Sequence, residues 1–217
     1  SPNGNIPVHA FNLISPTFFA NSSTGNKYSL WVNVYGVSER YLNVYGEKDL
    51  RAQMNQFFHR TYTHPVDGTT LDMKMLCNWY WYDETAILET GKGTKDWNFY
   101  RYAETLLSAA EAIAQSSGVN AEAAGYLAQV KARANMEGKD VSTIASELQR
   151  LGKQAFIEEC WKERLREFPL EMKIWDDCVR TGKFPQISAT NKGEVQFVDL
   201  IGATNGSGAK FKETDLY

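Results

Sequence analysis

The feature that most constrains this chain is a change of period at Asp96. Beyond it, Phe99, Tyr102, Ala103, Leu106, Leu107, Ala110 and Ile113 recur at steps of three and four residues. That spacing puts apolar side chains on one stripe of an α-helix. The run ends at Ser116-Ser117-Gly118, where glycine can take the left-handed C-terminal position. Asn120 is placed to cap a second helix, whose stripe is Ala123, Ala124, Leu127, Val130 and Ala134. So short a connection folds the two into an antiparallel hairpin. Small residues on both (Ala103, Ala109, Ala110, Ala124, Ala128) let the helices approach closely.

A second pair follows. From about Ser142 to Phe168, Ile144, Leu148, Leu151, Ala155, Phe156, Cys160, Trp161 and Leu165 read as one helix. Pro169 interrupts it. Leu170 to Thr181 reads as another, with Ile174, Trp175, Cys178 and Val179 inward and Gly182 as its stop. Successive hairpins predict a helical-repeat scaffold, at a spacing of roughly fifty residues rather than the roughly 34 of a regular tetratricopeptide.

Residues 1–95 lack that period. Turn signals recur at Pro2-Asn3-Gly4, Ser15-Pro16, Asn21 to Asn26, Tyr45-Gly46 and His64-Pro65. Tyr28 to Tyr35 and Leu71 to Tyr82 are strand candidates, and Lys48 to Phe58 has a helix-like spacing at Leu50, Met54, Phe57 and Phe58. The organisation expected is an irregular, loop-rich region over 1–95, a helical-hairpin scaffold over 96–182 and a loop-like tail over 183–217. The fold class expected is mainly α: tetratricopeptide-like hairpins packed against an irregular region with few short strands.

Charge and apolar patterning exclude several function classes. With 23 Lys and Arg against 26 Asp and Glu, the net charge of −3 offers no basic face for nucleic acid. No run of eighteen apolar residues exists to form a membrane-spanning helix. Ser1-Pro2-Asn3-Gly4 reads as a loop entered midway, so the chain reads as a fragment and its missing targeting signals say nothing about destination. Cys77, Cys160 and Cys178 stand far apart without a CxxC spacing, which argues against zinc; Cys160 and Cys178 lie on apolar helical faces as small hydrophobes.

Catalytic constellations are thin, and neither a metal nor a cofactor is expected. His9, His59 and His64 form no HExxH motif, and His59 and His64 bracket an expected loop. Gly91-Lys92-Gly93-Thr94-Lys95 lacks P-loop spacing. Of the adjacent carboxylates, Glu158-Glu159 and Asp176-Asp177 lie on helices, where neighbours diverge. Glu163, Arg166 and Glu167 read there as ordinary surface pairing. Asp83-Glu84 is the one pair beside aromatic residues, and it carries the hydrolase alternative.

Binding without chemistry fits the residues better. Pyranose rings lay C–H faces on aromatic rings while their hydroxyls bond to amides, carboxylates and guanidinium groups. Trp31 to Tyr45 interleaves Trp31, Tyr35, Tyr41 and Tyr45 with Asn33, Glu39, Arg40 and Asn43, and Asn78 to Glu84 reads NWYWYDE. The candidate ligand residues are therefore Trp31, Tyr35, Tyr41, Trp79 and Trp81, with Asn33, Arg40, Asn78 and Asp83 as polar partners. An equal alternative is that half of these rings anchor an irregular region.

The helical half carries a resemblance. NFYRYAETLLSAAEA (Asn98 to Ala112) resembles the RYAE…AEA helix of the SusD/RagB family, and QVKARA (Gln129 to Ala134) its RARA helix. ERLREF (Glu163 to Phe168) followed by Glu171, Trp175, Asp177, Arg180, Thr181 and Gly182 is similar to the family's ER…EF…EGxR…RtG signature, and Asp49-Leu50-Arg51 to its DxR. Where that pattern has Gly and Arg, this chain has Met172 and Ile174, and Cys178 stands in place of Leu.

The resemblance implies a largely helical, non-enzymatic protein of the bacterial outer-membrane surface. Such proteins are lipid-anchored through a cysteine that would lie before Ser1. They bind oligosaccharides on an aromatic platform and pass them to a SusC-like TonB-dependent transporter. It also implies that Glu104, Glu111, Arg133, Glu163, Arg164, Glu167, Asp177 and Arg180 tie helix to helix by charged hydrogen bonds. The rival readings are a helical-repeat adaptor for protein ligands and a glycoside hydrolase using Asp83 or Glu84.

Overall fold

A computed structural model describes residues 37–65, 68–80, 82–85, 96, 98–169 and 171–216. The chain divides into two compact units, one of residues 1–41 and 51–98, the other of residues 42–50 and 99–217. Mainly helical structure with a few short strands is what the period predicts and what the described residues adopt.

In the larger unit, α1 (Tyr102–Ser117) and α2 (Ala121–Ala132) are joined by residues 118–120 alone. Asn120 caps α2 as expected, its side chain accepting from the Ala123 N–H at 2.9 Å. α3 (Val141–Leu148) starts at Asp140, whose carboxylate takes the Thr143 N–H at 2.8 Å. α4 (Lys153–Glu167) and α5 (Ile174–Thr181) follow. α1 packs on both α2 and α4, and α2 on α3. Their core holds Leu107, Leu127 and Phe156 fully buried, with Ala103, Ala110, Ala124 and Ala128 at the close approaches. Each large side chain buried here contributes about 1.5–3 kcal/mol. None of the helices among the described residues is long and apolar enough to cross a membrane.

Charged side chains complete this frame. Arg101 reaches Glu171 (2.7 Å) and Glu167 (2.9 Å), and Arg133 meets the same Glu167 at 2.6 Å. Arg164 joins Asp177 (2.7 Å) to Glu104 (3.4 Å), and Arg180 joins Glu111 (2.7 Å) to Asp177 (3.1 Å). Arg166 pairs with Glu159 (2.9 Å) and Glu163 (3.2 Å), and Lys131 also holds Glu159. Burial pushes the Glu159 carboxyl up, but Lys131 and Arg166 outweigh it and hold the group below its usual range. The expectation of helix-to-helix ties is met, but surface pairing is the wrong description of Glu163, Arg166 and Glu167. All three are buried, because α4 is covered by α1 on one side and by residues 42–50 on another.

That short segment belongs to the helical unit. The Arg166 Nε donates to the Val44 carbonyl (3.0 Å), and the buried Tyr45 hydroxyl donates to the Arg166 carbonyl (3.1 Å). Leu50 N–H bonds to Ala134, Met136 N–H to Lys48 and Gly193 N–H to Asn43, at 2.8–2.9 Å. Gly193, at φ 78°, brings its backbone against Gly46, where a Cβ would sit 3.5 Å from the Gly46 Cα.

Several boundaries differ from the expected ones. α1 begins at Tyr102 rather than Asp96, leaving Phe99 and Tyr102 exposed. The helix expected over 142–168 is broken into α3 and α4, since Gly152 is extended and starts a new helix. In α5, Ile174 and Cys178 turn inward one turn apart, whereas Trp175 and Val179, one position on, face out. Trp175 instead meets Phe211 (5.5 Å between centroids).

The tail is not loop-like. β3 (Lys183–Ile187) and β4 (Val195–Asp199) form an antiparallel hairpin, with Pro185 opposite Phe197 and the Phe197 ring edge-on to Trp161 at 5.2 Å. Pro185 argues against a strand within a broad sheet, but a two-stranded ribbon is all edge and tolerates it. In the other unit, Lys48 to Phe58 is not a helix. A 3-10 turn, Leu50–Ala52, ends before Asn55, whose φ of 65° is left-handed, and β1 (Phe58–Thr63) starts directly after. β2 is Thr70–Asn78, shorter than the strand expected to reach Tyr82. The strand candidate Tyr28 to Tyr35 lies outside the described residues.

All three cysteines are buried and unbridged. Burial raises each thiol, Cys77 to about 12 and Cys178 to about 11.

Two stability measurements test this frame. Arg166→Met removes the guanidinium shared by part-buried Glu159 and buried Glu163, leaving Lys131 beside both, and is expected to cost roughly 3 kcal/mol in urea denaturation. A loss below about 1 kcal/mol would mean the pairs do not hold the helices. Met172, where the resemblance expects glycine, has φ 59° and an exposed side chain. Met172→Gly is therefore expected to stabilise by roughly 1–2 kcal/mol, and any destabilisation contradicts a left-handed backbone there.

Candidate functional site

The smaller unit is built on the β1–β2 ribbon. Phe58 pairs with Asn78 and His59 with Cys77; the register then shifts, and Thr61 faces Asp72. Residues 73–76 bulge out of the pairing, and Leu76 accepts from the Val37 N–H instead. Phe58, Tyr62, Met73, Leu76 and Cys77 form its buried centre.

A cluster of rings gathers at the end of this ribbon. Trp79, one residue beyond β2, is fixed by its N–H to the Phe57 carbonyl (2.8 Å). The His59 ring stacks on it at 3.8 Å and 11°. Tyr82, whose N–H bonds to the Trp79 carbonyl, stacks on the same indole at 5.0 Å and 18°. Tyr62 leans against Trp79 and Tyr82 at 5.9 and 6.3 Å. Stacks of this kind contribute about 0.5–1.5 kcal/mol each beyond area burial. His59, Trp79 and Tyr82 are each half-exposed, so the cluster has a core side and a solvent side.

Its electrostatics favour neutral groups. Burial lowers the His59 pKa from its ordinary 6.5, leaving an uncharged imidazole at neutral pH. Burial also raises the Tyr82 phenol, whose hydroxyl donates to Glu84 Oε2 at 2.8 Å. Beside His59, Arg60 grips Glu39 with two bonds of 2.6 and 2.8 Å, tying the first residue of the 3-10 turn Glu39–Val44 to β1. Arg40, the neighbour of Glu39, is exposed.

Of the nine expected ligand residues, Trp31, Asn33, Tyr35 and Trp81 lie outside the described residues. Asn78, Trp79 and Asp83 come together on the ribbon's end. Asn78 is buried, and its side-chain oxygen has no hydrogen-bond partner among the described residues. Asp83 is half-exposed. Arg40 and Tyr41 lie on the 3-10 turn; Tyr41 is part-buried, and that burial raises its phenol against the pull of Arg51. Among the described residues no three His, Cys, Asp or Glu side chains are placed to hold a metal ion.

Sequence reasoning missed His59, Arg60, Tyr62 and Tyr82. His59 and His64 were expected to flank a loop, yet a strand runs between them. Period two places Phe58, Arg60 and Tyr62 on one face, yet Arg60 is exposed between two buried rings. Arg60 departs from that rule because the register shifts between His59 and Thr61.

Titration of the His59 ring by NMR tests the cluster. The folded pKa lies below 6.5, so stability is complete above that pH and declines as pH falls from 6.5 toward the folded value. Trp79→Ala exposes the imidazole and is expected to move its titration up toward 6.5. A wild-type His59 that already titrates at or above 6.5 contradicts the stack.

Comparison with known proteins adds an independent line. A family model described as the SusD family matches residues 21–210. The chain is similar to a solved SusD superfamily protein from Parabacteroides distasonis ATCC 8503, at 25% sequence identity and a TM-score of 0.74. The match covers 95% of this chain and 42% of that one, so the chain spans less than half of that protein's length. No curated protein matches it.

Proposed function

The chain belongs to the SusD family, and on that premise we propose that it captures oligosaccharides at the outer-membrane surface without catalysing their cleavage. The observation that carries this reading is the half-exposed stack of His59, Trp79 and Tyr82, with Arg40 on the adjoining turn. Uncharged rings offer dispersion and C–H contact to a pyranose face, while guanidinium and amide groups take its hydroxyls. Trp79 is common to both stacks, so its removal dismantles the platform as well as one contact. Trp31, Asn33, Tyr35, Tyr41, Asn78, Trp81 and Asp83 are proposed as further members of the same surface.

The captured glycan is passed to a SusC-like TonB-dependent transporter, and attachment to the membrane is through a lipid anchor outside these residues. The buried thiols of Cys77, Cys160 and Cys178 are unsuited to that modification. Asp83 and Glu84 serve here as hydrogen-bonding groups. Glu84 already accepts the Tyr82 hydroxyl.

Titration calorimetry against maltohexaose, cellohexaose, xylohexaose and chitohexaose tests the reading. At least one is expected to bind, and Trp79→Ala to weaken it by about tenfold. No heat with any of them, or the release of shorter sugars on incubation, would sink it.

A further inference from the structure

The helical unit contains a cleft of about 770 Å³ between α1 and α5, floored by α4. Ligand-binding cavities commonly run from roughly 300 to 1,000 Å³, but most are apolar. This one is lined by an alternating chain of charges. Lys173 meets Glu104 (3.2 Å), Glu104 meets Arg164 (3.4 Å), and Arg164 meets Asp177 (2.7 Å). Asp177 meets Arg180 (3.1 Å), and Arg180 meets Glu111 (2.7 Å). Three cations and three carboxylates thus hold one another in fixed orientations. Burial pushes the Glu111 carboxyl up, yet Arg180 overrides it and keeps the group below its usual range. Outside the relay stand Asp176, exposed on α5, and Tyr100, exposed to 82% at the rim. The Lys173 ammonium lies 4.8 Å from the centre of the Tyr100 ring.

We propose that this cleft is a second carbohydrate site, taking a neutral sugar ring or two of the same oligosaccharide class. The inference rests on the glycan-capture reading but on a different part of the molecule. An anionic ligand entering here would have to break a matched pair, because each cation already faces a carboxylate. A neutral polyol breaks none. Carboxylates keep lone pairs, and guanidinium groups keep N–H donors, beyond those that one partner uses. Their preset orientation lowers the ordering cost of binding. Tyr100 supplies the ring against which a C–H face can rest, and Asp176 an acceptor that no ion pair among the described residues has claimed.

The test uses the same four hexasaccharides and the double variant Tyr100→Ala/Asp176→Ala, which leaves the relay intact. Ala112→Trp, on the exposed side of α1 that lines the cleft, serves as a blocking variant that removes nothing. Unchanged helical circular dichroism melts establish that each is folded. Both are expected to weaken the sugar that binds the wild type by at least about tenfold. If Trp79→Ala weakens that sugar and neither cleft variant does, this inference falls and the ribbon reading stands. If the cleft variants weaken it and Trp79→Ala does not, the reverse holds. A wild type that binds none of the four overturns both.

Discussion

A guanidinium removed from water keeps its charge, and it is tolerated only where carboxylates and carbonyls replace the lost hydration. One turn of α4 meets this requirement for most of the helical unit. Arg164 reaches toward α1 and α5, Arg166 toward α2's partners and the Val44 carbonyl, and Glu167 toward Arg101 and Arg133. Hydrophobic packing brings these helices together, but it is not directional. The bidentate and shared ion pairs fix which face of each helix meets which. The motif residues that make the family recognisable are therefore the joints of the frame.

The helical half was legible because two independent periods agreed there. Stripes at three- and four-residue steps located α1 and α2, and the ordered motifs located α4 and α5. What failed did so for local reasons. Gly152 split a continuous stripe, and α5 is too short for its period to tell Trp175 from Cys178. The β3–β4 ribbon carries a proline that only an edge can hold. Residues 42–50 pack with helices far along the chain, and no local pattern announces a partner so distant.

The candidate ligand surface was legible in composition and not in geometry. Aromatic and polar residues alternate through Asn78 to Glu84, which marks the region, but the sequence cannot say that His59 lies flat on Trp79. That contact depends on a register shift in a ribbon, and the shift depends on residues that bulge away to pair elsewhere. The charged cleft was hidden differently. Five of its six relay residues, all but Lys173, are motif residues, so structural duty explained them completely. Only their arrangement across both walls and the floor of the cleft shows that the same side chains also enclose a volume.

In an oxidising milieu, exposed sulfhydryls couple with one another or with a neighbour's. Here none is exposed. Exchange proceeds through the thiolate, and groups raised to about 11 and 12, as Cys178 and Cys77 are, supply almost none of it near neutrality. Burial and scarce thiolate thus shield these three thiols in the folded state, and opening of the chain is what would expose them to oxidative coupling.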